Sequence, residues 1–282
     1  MAATIRSRWL GAELRKLRTG LGRTIPDVAR EIEWTEAKIS RIENGLVKAH
    51  FVDVGALLRL YGVAESDPLH PALIELARSA KRKGWWHGNG DTLAHPFADL
   101  ISLEDGASKM ATYEIHTIPG LLQTADYAHA LVAGSNVWER SEDVRKFVEI
   151  RMARQAVLTR ETEPLELWVI LGEAALRQQV GAPSVMCGQL EHLLEVSSGL
   201  PNVTIQVMPY RAGAAGMFNP FVTLNYAAQQ VVYVESLTGG LWLEDPEVVS
   251  RYARAYEHLR ASALSAKESE RLIRAVIEET KT

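Results

Sequence analysis

Thr35-Glu-Ala-Lys-Ile-Ser-Arg-Ile-Glu-Asn-Gly45 is the stretch on which the fold turns. Thr35 has the side chain of an N-cap, and Gly45 supplies the stop that follows a helix. Between them Ile39 and Ile42 lie three apart and must share the buried face. That leaves Thr35, Glu36, Lys38, Ser40 and Arg41 for the outside.

The residues on either side set this helix in a group. Upstream, Leu10, Leu14, Leu17 and Leu21 recur at spacings of 4, 3 and 4, which predicts a first helix ended by Gly20 and Gly22. Thr24 reads as the N-cap of a short second helix, with Pro26 in its first turn, Asp27 at its positive end, and Val28, Ala29 and Ile32 inward. A connection at Glu33-Trp34 leads into the quoted helix. Downstream, Val54, Leu57, Leu58 and Tyr61 mark the inner face of a fourth helix.

Two short helices joined by a turn of about 3–4 residues form the helix-turn-helix unit, whose second helix enters the major groove. In that frame Lys38 and Arg41 donate to guanine or to phosphate, and Glu36 accepts from cytosine. Lys48, Arg15 and Arg18 are placed for phosphate, which contributes affinity rather than base reading.

The 282 residues carry a formal net charge of -4, which taken alone argues against nucleic acid. By segment the balance changes. Residues 1–83 hold 15 Lys+Arg and 10 Asp+Glu, a net of +5, and the remainder is net -9. A basic head on an acidic body is the asymmetry of a nucleic-acid module joined to another domain. The expected division is residues 1–66 as the DNA-binding domain, 67–84 as a linker helix, and 85–282 as an effector and dimerisation domain. No apolar run is long enough for a transmembrane helix, and no secretory signal precedes the first helix, so a cytoplasmic protein is expected. The single cysteine, Cys187, leaves no internal disulfide and no Cys-rich zinc site.

Beyond the basic run Lys81-Arg82-Lys83, which suits either DNA backbone or solvent, come Trp85 and Trp86. Strands are predicted at 108–118, 165–171, 203–208, 221–225 and 231–235, the last two as a hairpin. Helices are predicted at 121–131, 144–158, 185–197, 246–261 and 266–279. The whole reads as mainly α with an α+β part: an all-α head, a linker helix, and an α+β domain with a small sheet.

No phosphate loop, nucleophile elbow or paired-histidine metal motif occurs in the chain, so no catalytic residue, metal ligand or cofactor is assigned, and an enzyme is not expected. Binding is the easier role for the body. Arg151 and Arg154 share a helix face, for a ligand's carboxylate or phosphate or for the body's own acids. Phe218 follows a small-residue loop, and Glu235 ends a strand. With Trp85 and Trp86 they are the candidates for a ligand or partner.

The I-S-R-I-E-N-G ending resembles the phage-repressor-like (XRE-type) helix-turn-helix regulators. Two positions depart from that pattern: Ile25 stands where Gln is frequent, and Glu33 where the turn commonly carries Gly. The body, with Gly84-Trp85-Trp86, Leu103-Glu104, Ile118-Pro-Gly-Leu-Leu-Gln-Thr124, Tyr127-Ala128, Arg151-Met-Ala-Arg-Gln155, Gln189-Leu-Glu-His-Leu193, Val207-Met-Pro209 and Tyr233-Val-Glu235 in order, looks like the WhiJ-like, antitoxin-like regulators of actinobacteria. That resemblance implies a transcriptional regulator, often encoded beside a small partner protein. One small head alone binds weakly, so a homodimer on a double-stranded DNA operator is expected, its body answering to a small ligand or to that small partner protein. The alternative it leaves open is an antitoxin-like protein that mainly sequesters that partner.

Overall fold

The computed structural model describes residues 5–81, 95–135, 141–226, 229–236 and 239–281. The chain divides into two compact units, residues 1–87 and 88–282. The described elements of the first are all helices: α1 (Ile5–Gly20), α2 (Ile25–Glu31), α3 (Glu36–Glu43), α4 (Phe51–Leu60) and α5 (Leu69–Lys81). Trp9, Leu10, Leu14, Val28, Ile39, Ile42, Val54, Leu57 and Leu58 form its core. Leu21, expected on the same stripe, lies beyond the end of α1 and is 51% exposed.

The segment expected to be a linker helix behaves differently. It forms α5, which packs on α1 and α4 and buries Leu73, Leu76 and Ala77. The apolar face of a lone linker would stay wet, and here it completes the head's core instead. Trp85, Trp86 and the basic residues Arg82 and Lys83 lie outside the described residues.

The second unit is α+β. Its helices are α6 (His95–Gly106), α7 (Ala125–Gly134), α8 (Ser141–Arg154), α9 (Glu173–Arg177), α10 (Pro183–Gly199), α11 (Pro246–Ser262) and α12 (Ala266–Lys281). Its strands are β1 (Lys109–Glu114), β2 (Glu166–Gly172), β3 (Val203–Met208), β4 (Phe221–Tyr226), β5 (Gln229–Ser236) and β6 (Gly239–Leu243). They form one six-stranded sheet in the order β3-β2-β1-β4-β5-β6. β1, β2 and β3 run parallel, and β4, β5 and β6 add antiparallel neighbours. Parallel strands need helical crossovers, which α7–α8 and α9–α10 supply. α6, α9 and β6 were not anticipated from the pattern.

Side chains alternate across the sheet. Tyr113, Ile170, Phe221 and Val232 point to one face and pack on Val249, Tyr256 and Leu259 of α11. Residues of the other parity, including Thr112, Glu114, Tyr233 and Glu235, belong to the opposite face. No described helix is long and apolar enough to cross a membrane.

Candidate nucleic-acid interface and the buried network of the body

The helix-turn-helix is built by local capping. The Thr24 hydroxyl accepts from the Asp27 amide, and the Asp27 carboxylate accepts from the Thr24 amide, a reciprocal box that starts α2. Thr35 Oγ1 accepts from the Lys38 amide at 3.2 Å and starts α3. Between them Glu33 adopts φ 55°, the left-handed region in which a side chain is strained. The left-handed turn is made here by a glutamate.

α3 is pinned from behind by the E-N-G residues. Glu43 follows the inward spacing of Ile39 and Ile42, and its side chain is fully buried. Arg18 donates to it twice, Nε to Oε1 at 2.7 Å and Nη2 to Oε2 at 2.8 Å, and also to the Arg23 carbonyl at 2.6 Å. The carboxylate's hydrogen bonds raise the Arg18 pKa above its ordinary value. Arg15 Nη2 donates to Asn44 Oδ1 at 2.6 Å. Gly45 takes φ 65°, with the Arg8 Cα 2.6 Å from where a Cβ would stand, so the position tolerates only glycine.

Arg18 was expected to meet phosphate, and that reading is corrected. It is 8% exposed and neutralises the one carboxylate on the inner face of α3. The signal was present in the sequence: 39, 42 and 43 share a face, so Glu43 required a buried cation. Arg15 keeps half its side chain in solvent while it holds Asn44.

The outer face divides by partner. Lys38 Nζ is 3.1 Å from Asp53 Oδ1 and sits 3.5 Å over the Trp34 ring, so it must exchange Asp53 for any base it reads. Arg41 is exposed, its Nε donating only to the Ala37 carbonyl of its own helix at 3.3 Å. Thr35 and Glu36 are exposed and Ser40 half-buried, while Ala37 and Asn44, not singled out in the sequence, share that surface. Lys38, Arg41, Lys48, His50 and Asp53 line a shallow cleft of about 330 Å³ beside the N-terminus of α4.

In the body the separated motifs converge. Arg154 donates to Glu104 through Nε at 2.9 Å and Nη2 at 2.6 Å, with both side chains at least 95% buried. Gln155 Nε2 donates to the carbonyls of Gln123 (2.6 Å) and Gly120 (3.2 Å). Gln189 Nε2 donates to the Leu122 carbonyl and its Oε1 accepts from the Thr124 amide, both at 2.7 Å. Gln123 Nε2 donates to the Ile118 carbonyl, and Arg151 Nη1 donates to Gln123 Oε1, again both at 2.7 Å. The Pro119–Thr124 turn has too few backbone partners of its own, and three glutamine side chains supply them, with Arg151 bracing that of Gln123.

The profile of a helix-turn-helix domain matches residues 9–72, and that of a domain of unknown function, DUF5753, matches residues 97–275, more than half of the chain. The chain belongs to the DUF5753 family. Its head is the helix-turn-helix domain of a DNA-binding regulator. No curated protein matches the chain. No solved structure matches it either. In this DUF5753 chain the buried network spans α6, α8, α10 and the 118–124 turn, so it is the frame of the matched domain.

Among the described residues, the candidate ligand residues are not gathered into one site. Arg154 is consumed by Glu104, which corrects its assignment as a ligand grip. Phe218 lines a groove of about 290 Å³ with Val234 and Tyr252 on the α11 face of the sheet. Glu235, next to Val234, belongs to the opposite face, where it is within electrostatic reach of Arg151 and Glu114. Glu114, missed in the sequence, has its pKa raised to about 8, by burial first and by Glu235 second. Arg151 is pulled down to about 10 by burial and by Arg154.

Proposed function

We propose that this chain is a sequence-specific transcriptional regulator of the cytoplasm that binds a double-stranded operator as a homodimer. The observation that carries the reading is the two-sided build of α3. Its inner side is locked by Arg18–Glu43, and its outer side leaves Glu36, Ala37, Ser40, Arg41 and Asn44 toward solvent. An immobile helix with a polar outer face suits the major groove. Of the basic residues there, Arg41 carries the freest guanidinium and is assigned to a base; Lys48 is assigned to phosphate.

The body is assigned a non-catalytic role as a WhiJ-like effector that answers a small ligand or small partner protein. One observation favours the antitoxin-like reading, in which the body mainly grips a protein. Tyr210, Met217 and Phe218 are 63%, 81% and 41% exposed along one loop, three large side chains left wet close together in sequence. A pull-down with the neighbouring gene product, with DNA affinity measured with and without it, separates the two.

The head is tested by gel shift on the chain's own promoter region. Arg41→Ala is expected to cost about 1–3 kcal/mol and to relax preference at one base pair. Lys48→Ala is expected to weaken all sequences alike and to flatten the salt dependence. The proposal fails if the wild type shows no salt-sensitive binding to any upstream DNA.

A further inference from the structure

The two edges of the sheet are treated differently. At the β3 edge, the segment between α11 and α12 closes the strand. The Leu264 amide donates to the Val207 carbonyl at 2.9 Å, and the Val207 amide donates to Ser269 Oγ at 2.9 Å. Gln206 Nε2 adds a bond to the Leu264 carbonyl at 2.8 Å. At the β6 edge no described residue hydrogen-bonds to the outer side of the strand. Natural edges are blunted by charge, proline, a bulge or a cover. β6 reads Gly-Gly-Leu-Trp-Leu, with no charge and no proline, and Leu241 is 58% exposed on the α11 face.

We propose that β6 pairs antiparallel with β6 of a second copy about a two-fold axis at Leu241, joining two six-stranded sheets into one. The proposal deepens the homodimer reading above and rests on it.

The strand is complementary to itself about that axis. An isologous contact places residue i against j and j against i. With Leu241 on the axis, Gly240 lies opposite Trp242 of the second copy and Gly239 opposite Leu243, so each large side chain meets a glycine. Backbone groups alternate sides along a strand, so Gly240 and Trp242 present theirs to the same side, and the two symmetric pairs bond together. Within one copy Gly240 is already fixed as glycine, because the Tyr233 ring fills the space a Cβ would take. The two Leu241 side chains meet on one face, each leaving water.

Charge agrees with the axis. The nearest acid in sequence is Glu244, three residues from Leu241. The two copies of Glu244 therefore stand about 20 Å apart along the paired strands. That exceeds the screening length of about 8 Å at physiological salt. Any axis shifted toward Glu244 brings the acids together, so the neutral centre also sets the register.

The test is the mass of the full-length protein by light scattering across a dilution series. Wild type is expected to be a dimer. Leu241→Lys and Leu241→Glu place like charges on the axis, and each alone is expected to lose the dimer wherever wild type keeps it. Mixing the two variants is expected to restore it, because opposite charges then face each other. Leu241 is exposed within one copy, so folding is expected to be retained, checked by circular dichroism. Leu21→Lys, on an exposed leucine of the head, is expected to change nothing. A wild type monomeric at every concentration overturns both this surface and the dimer reading. Variants that stay dimeric overturn the surface alone. Variants that dissociate without recovery on mixing overturn the self-pairing about Leu241.

Discussion

The head and the body each bury a doubly hydrogen-bonded Arg–Glu pair, and the two pairs work over different distances. Arg18–Glu43 joins α1 to α3 within a unit whose helices follow one another closely in sequence. Arg154–Glu104 joins α8 to α6, fifty residues apart, inside a network that also recruits the 118–124 turn and Gln189 of α10. The head's pair frees one face by locking the opposite one. The body's pair frees no face and is instead part of what holds the crossover helices together. A buried ion pair is therefore a positioning device in the head and a framework device in the body.

Removing one partner breaks this comparison most strongly. Glu104→Ala leaves the Arg154 guanidinium buried and uncompensated, and is expected to cost about 3–5 kcal/mol. Glu43→Ala is expected to cost the head a similar amount. Hydrogen exchange tells the two apart, since each loss of protection stays in its own unit, and only Glu43→Ala abolishes operator binding as well. Glu104→Leu combined with Arg154→Met is expected to recover most of the body's stability, because packed apolar groups replace a buried pair at little cost. A Glu104→Ala variant with wild-type denaturation would show that the pair does not frame the body.

The next effect belongs to the body alone. Glu114 is raised from its ordinary value to about 8 by burial and by Glu235. The folded state then holds a proton that the unfolded state releases near pH 4.5. Its contribution is full below the unfolded value and is lost as pH rises through about 8. Denaturant melts at pH 5 and pH 8 are expected to show wild type losing on the order of 2 kcal/mol more than Glu114→Gln over that interval. A variant with the same pH slope as wild type would mean that Glu114 is already ionised in the fold.

The two units also differ in how far their sequences could be read. In the head, caps, stops and apolar spacing lie within a few residues of one another, so α1 to α4 follow from local rules. Arg18 was misplaced only because Glu43 was not counted on the inner face. In the body, β2, β3 and the β4–β5 hairpin follow from β-branched runs, while β6 was missed because Gly-Gly-Leu-Trp-Leu carries no alternation. Several of the ordered motif blocks meet in a set of hydrogen bonds from glutamine side chains to the 118–124 turn. No spacing rule contains that information, which exists only once the 118–124 turn, α8 and α10 are brought together. Glu114 was invisible for the same reason, since its raised pKa comes first from burial in the assembled body and then from Glu235, four strands later in the chain.

The smallest effect tests a feature both units share. Among the described residues, Glu33 in the head and Glu163 in the body are the non-glycine residues with positive φ, at 55° and 51°. The left-handed region costs an L-residue about 1–2 kcal/mol, and glycine there gives back about 0.5–1 in unfolded-state entropy. Glu33→Gly is therefore expected to stabilise the head by about 1 kcal/mol, read from its thermal midpoint. Glu33→Gln keeps the strained backbone and removes only the charge, so it is expected to gain nothing. Glu163 differs in one respect: its carbonyl accepts from Arg160 Nε, which also ties this loop to Asp105 and Ala107 through Nη1 and Nη2. If that clamp only records the turn's shape, Glu163→Gly gains as much as Glu33→Gly. If the clamp already offsets the strain by ordering the loop, freeing the backbone loosens its anchor and the gain falls toward zero. Equal gains would make the left-handed turn a purely local cost in both units. Unequal gains would extend to the backbone the division seen in the ion pairs, with the head settling its strain locally and the body distributing it over distant contacts.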